Sequence, residues 1–107
     1  MGTLIYGALQ RPITIDDRTL AHVEAVTMAR LRRKNSFVLR WTEKVGDGHG
    51  RRSIWVHESA DLYFEYESPE VFDLDRALLE RLTRAADSNT GMDLHFDAAD
   101  KTVLPSE

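Results

Sequence analysis

Residues 36–67 read SFVLRWTEKVGDGHGRRSIWVHESADLYFEYE, and the alternation inside this stretch decides the fold. Between 36 and 42, Phe37, Leu39 and Trp41 fall on one face and Val38 and Arg40 on the other. Between 52 and 57, Ile54 and Val56 oppose Ser53, Trp55 and His57. Between 62 and 67, Leu62, Phe64 and Tyr66 oppose Tyr63, Glu65 and Glu67. A period of two, rich in β-branched and aromatic residues, marks strands with one face on a core. Residues 43–51, with glycine at 46, 48 and 50, read as a flexible connection. Residues 58–61 are short enough for a hairpin, so the strands on either side are expected to pair antiparallel.

Upstream, Leu4, Ile5 and Tyr6 form a short apolar strand broken by Gly7. Ile13 and Ile15 alternate around Thr14, giving a second strand over 11–15 that makes a hairpin with the first. A helix is predicted from about 17 to 34, capped by Asp16 or Asp17 with acids at its positive end. Leu20, Val23, Thr27 and Leu31 share its core stripe, and His22, Ala25 and Ala29 lie on the far side. Arg32, Arg33 and Lys34, followed by Asn35, close it. Downstream, Pro69 ends the last strand of the central stretch. Asp73 or Asp75 is expected to cap a second helix with Leu74, Leu78 and Leu82 as its stripe, extended by Leu79 and Ala86. Asn89 and Gly91 stop that helix. Leu94 and Phe96, alternating with Asp93, His95 and Asp97, form a final strand. The order β-β-α-β-β-β-α-β predicts an α+β fold, two helices on one face of a mostly antiparallel sheet. The expected domain covers 1–97, and 98–107 is a polar tail that frays.

Composition narrows the function classes. The chain has 107 residues, 42% apolar and 30% charged, which describes one folded domain and not a disordered segment. It has no cysteine, so disulfides, thiolate metal sites and cysteine nucleophiles are excluded. No apolar run reaches the ~18 residues of a membrane span. A basic-then-apolar leader is missing, and Tyr6 stands where N-myristoylation wants Ser or Thr, so the expected location is cytoplasmic without membrane contact. Charge is unevenly spread. Residues 30–52 hold eight cations against two acids, and 53–107 hold four against thirteen. Such segregation suits either a polyanion site or association of complementary halves.

Two candidate surfaces follow. The first is basic: Arg30, Arg32, Arg33, Lys34, Arg40, Arg51 and Arg52 are the candidate nucleic-acid contacts. The second is the sheet face opposite the helices, carrying Val38, Trp55, His57 and Tyr63, with His95 and Arg40 beside them. Large aromatics on an uncovered sheet face call for a partner: a second copy, a covering loop, or stacked bases. The acids Glu65, Glu67, Asp93 and Asp97 repel phosphate and weigh against bases.

Catalytic patterns are weak. His22, His49, His57 and His95 have no metal-ligand spacing, and no metal or cofactor is expected. His57 with Asp61, or His95 with Asp97, has the residue types of an acid–base pair but reads better as surface hydrogen bonding. Ser53 and Ser59 lack a nucleophile turn. Gly46, Gly48 and Gly50 beside Arg51 and Arg52 lack the Lys-Ser/Thr ending of a phosphate-binding loop.

One set of motifs carries a resemblance. It comprises Gly2-x-Leu4-x-Tyr6-Gly7, Asp16-Asp17-Arg18-x-Leu20-Ala21-His22, Ser36-Phe37 with Trp41, Arg52 to His57, Leu62-Tyr63-Phe64-x-Tyr66 and the helix end at 86–91. Over residues 2–91 these resemble a family of small uncharacterised actinobacterial proteins, often labelled automatically as ATP-dependent DNA ligases. The label implies nucleotide binding and lysine-centred nucleotidyl transfer, which in ligases uses Lys-x-Asp-Gly. Here only Lys44-Val45-Gly46-Asp47 approaches it, with Gly and Asp transposed. The expected function is therefore a non-catalytic domain that self-associates. A nucleic-acid accessory role and the ligase-like role are the alternatives.

Overall fold

The computed structural model describes residues 2–7, 11–45, 48–97 and 102–105. The elements run β1 (Gly2–Tyr6), β2 (Arg11–Ile15), α1 (Asp17–Arg32), β3 (Phe37–Val45), β4 (Gly48–Val56), β5 (Leu62–Glu65), α2 (Arg76–Asp87), β6 (Met92–Asp97) and β7 (Thr102–Pro105). This is the α+β order expected, with one strand added at the end. Two three-stranded groups, β4-β3-β6 and β2-β1-β5, are joined through β7 into the order β4-β3-β6-β7-β2-β1-β5. Four of the six pairings are antiparallel; β3–β6 and β2–β7 are parallel.

The central stretch corrects two expectations. The ladder from Phe37↔Val56 continues without a slip to Val45↔Gly48, so 43–45 and 48–51 are strand and not flexible connection. Glycine weakens a strand but does not forbid it, and here every residue from Phe37 to Val45 has a register partner on β4. Gly46 and Asp47 lie outside the described residues. Nor do β4 and β5 form a hairpin: β5 pairs with β1, Leu4 opposite Phe64, which aligns two apolar residues on the core face.

That exchange bends the sheet. β4 and β5 stand at opposite ends of the strand order, yet only residues 57–61 separate them. Seven flat strands would span about 29 Å edge to edge. The connection reaches at most about 22 Å. The sheet therefore curls until its edges face one another. The Tyr6 hydroxyl of β1 donates to the Trp55 carbonyl of β4, and the Gly7 N–H donates to the Asp61 carbonyl at 2.9 Å.

Inside the curl lies a single core. Leu4, Ile13, Ile15, Phe37, Leu39, Trp41, Val56, Met92 and Leu94 from the sheet meet Leu20, Val23, Val26, Leu78, Leu82 and Ala86 from the helices. Asp16 caps α1, its carboxylate accepting from the Thr19 N–H at 3.0 Å, and Asp75 caps α2 through the Ala77 N–H at 2.9 Å. α1 stops at Arg32, sooner than predicted, and Lys34 takes the left-handed conformation (φ 61°). Leu74, expected on the α2 stripe, precedes that helix and is exposed. Residues 102–105 form β7 instead of fraying, since β6 and β2 offer unpaired edges that this segment joins.

His22 is the largest correction within a helix. It is fully buried, not on an outer side. Its Nδ1 lies 2.7 Å from the Arg18 carbonyl, and its Nε2 accepts from the Asp75 N–H at 2.8 Å. This network assigns the neutral tautomer with its proton on Nδ1. Arg18 pairs with the Asp75 carboxylate at 3.2 Å, so α1 holds the start of α2 at two points.

Candidate interaction face

Strand register places Val38 opposite Trp55, Arg40 opposite Ser53 and Thr42 opposite Arg51 on the outer face of the β3–β4 hairpin. Diagonal neighbours in such a ladder sit about 7–8 Å apart, so Trp55, Arg40 and Arg51 form one aromatic and cationic strip. Trp55 is 56% exposed, uncovered by any described loop. Tyr63 of β5 is 58% exposed, on the outer face with Ile5 and Pro12. Because the edges of the sheet face one another, the two aromatics flank the seam that Tyr6 bridges.

Acids lie on the other strands of this face. Asp93 of β6 is opposite Arg40, and Glu65 of β5 is opposite Thr3. The outer surface is thus cationic along β3–β4 and anionic along β6 and β5.

The remaining candidates disperse. Arg30 is largely buried. It pairs with Asp87, donates to the Ser36 carbonyl at 3.3 Å and lies 5.5 Å from the Phe37 ring centroid. It ties α1, α2 and β3 together instead of facing solvent. Arg32, Arg33 and Lys34 are exposed at the end of α1, and Arg52 is exposed on the Trp41 side of β4. His57 is half-buried; its Nδ1 accepts from the Ser59 N–H at 3.2 Å, and its carbonyl from the Ala60 N–H at 3.0 Å. The ring closes the 57–60 turn. Lys44 stands in the ladder opposite His49. The side chains of His49 and His95 lie outside the described residues. Among the described residues no three His, Asp or Glu side chains gather as a metal site, and no helix is long and apolar enough to cross a membrane.

Sequence reasoning missed the segment from Tyr66 to Leu74. Asp17, buried at the start of α1, accepts from the N–H groups of Glu67 and Ser68 at 3.3 and 3.0 Å. Nothing in the local pattern signals that pairing, since the partners are some fifty positions apart.

A curled, mostly antiparallel sheet lined by two helices, with aromatics left on its outer face, defines a small α+β domain whose distinguishing surface is that face. The chain belongs to the family of a domain of unknown function, DUF7882, whose profile matches residues 1–97. The match ends with β6, leaving β7 beyond it. No curated protein and no solved structure shows a significant match.

Proposed function

We propose that this protein acts as a non-catalytic association domain, pairing with a second copy through its outer sheet face. The observation that carries the reading is Trp55, 56% exposed on a strand where a lone domain gains nothing by exposing it. Charge supports a second copy. A two-fold contact that sets the Arg51 end of one protomer's strip against Glu65 of its partner is favoured by charge. Nucleotidyl transfer is no part of this reading, because Lys44 lacks the ligase motif around it.

Nucleic-acid binding is the second reading, favoured by Arg40 lying diagonal to Trp55 with Arg51 further along the same face. The two separate by fluorescence. Trp41 is buried and Trp55 exposed, so wild-type emission contains a solvent-exposed component. Self-association predicts that this component shifts to the blue as protein concentration rises, and that Trp55→Phe removes the shift. Emission independent of concentration, but quenched by a single-stranded oligonucleotide in a salt-sensitive way, would replace the first reading with the second.

A further inference from the structure

Between α1 and residues 66–74 lies a cleft of about 690 Å³, separate from the sheet face. Small-molecule sites occupy about 300–1,000 Å³. Its apolar walls include Ala21, Tyr66, Val71, Phe72 and Leu74. Val71 is 92% exposed and Leu74 49% exposed, although the strap carrying them is anchored on both sides. At one end the buried Asp17 carboxylate holds the N–H groups of Glu67 and Ser68. At the other end His22 holds the N–H of Asp75 at 2.8 Å. The strap is thus fixed at both ends by buried groups, with apolar side chains left unburied between them, and the cleft beside it stays open.

The charge of the lining selects the occupant. Glu24, Glu67 and Glu70 border the cleft, and among the described residues lining it none is basic. The Tyr66 hydroxyl donates to Glu24. Burial first, and then the Glu24 carboxylate, push the Tyr66 phenol well above its ordinary range, so it remains a donor and Glu24 an acceptor. Aromatic faces and carboxylates beside hydrocarbon are the surroundings in which an organic ammonium is best held.

We propose that this cleft binds a small organic cation with an apolar body, its ammonium at Glu24 and Glu70 and its hydrocarbon against Val71, Phe72 and Leu74. The test titrates the protein with 2-phenylethylamine, 2-phenylethanol and phenylacetate, which differ chiefly in charge, while amide resonances are followed by NMR. The amine should move amides of residues 21–24 and 66–74 and bind about tenfold tighter than the alcohol. Phenylacetate should not saturate the site. Glu24→Gln with Glu70→Gln should erase the preference for the amine while the protein remains folded with native amide dispersion, since glutamine still accepts from Tyr66. Equal binding of all three compounds, no movement of strap amides at millimolar amine, or an amine preference that survives both substitutions would overturn the proposal.

Discussion

His22 shows how one side chain joins parts of the chain far apart in sequence. Its ring spans the Arg18 carbonyl and the Asp75 N–H, and no water reaches it. His22→Leu keeps much of the volume but leaves the Asp75 N–H without its acceptor, at about 1–3 kcal/mol. Urea denaturation should show that loss. A helical wheel puts His22 off the Leu20 stripe, and the backbone group that makes its burial favourable is 53 positions away. That is why its role was illegible, whereas the Asp16 and Asp75 caps, which act on their own helix starts, were readable to within two residues. Two glycines offer a sharper residue-scale comparison. Gly91 has φ 82°, and a Cβ there would sit 2.4 Å from the Val38 carbonyl oxygen; Gly7 has φ 77° with open space around it. Gly7→Ala should cost the left-handed penalty alone, about 1–2 kcal/mol. Gly91→Ala should cost clearly more in the same denaturation experiment, and equal losses would show that Val38 yields freely.

At the scale of elements, α2 depends on its first turn. Hydrogen bonding from the Ala77 N–H, with help from Leu78 and Arg18, holds the Asp75 carboxyl below the usual carboxylate range. A carboxyl depressed in the folded state contributes stability above its unfolded value, near 4, and that contribution is lost as pH falls through the folded value. Asp75→Asn should therefore flatten the acid limb of a thermal-melt series below about pH 4. A variant that melts in parallel with wild type across that range would contradict the assignment. Strand faces were legible because period-two alternation survives any pairing: Phe37, Leu39, Val56 and Leu94 all point inward. Pairing partners were not legible. The loop of 58–61 looked like a hairpin, but Leu4 opposite Phe64 and Ile54 opposite Leu39 place those strands beside other neighbours. Glycine composition likewise disguised β3 and β4, because ladder hydrogen bonds outweigh a local preference for turn.

For the whole molecule, the curl of the sheet decides what remains outside. The curl puts the core between its concave side and the two helices and leaves Trp55 and Tyr63 on the outer wall. A standard interface takes about 800 Å² from each partner. That is roughly one-ninth of the 6918 Å² this chain exposes. The sequence separation of charge, cationic over 30–52 and anionic after it, becomes on this wall a cationic strip beside acidic strands. The candidate face was legible from alternation alone, since Trp55 and Tyr63 had to oppose the core residues. The basic set was less so, as Arg30 is drawn inside by Asp87 and Phe37. Sedimentation equilibrium tests the association claim most directly. The wild-type chain of 12.2 kDa should reach about twice that mass at high micromolar concentration. Trp55→Asp, exposed in the single chain and therefore tolerated by the fold, should stay at 12.2 kDa. A wild-type mass of 12.2 kDa at every concentration would contradict the account.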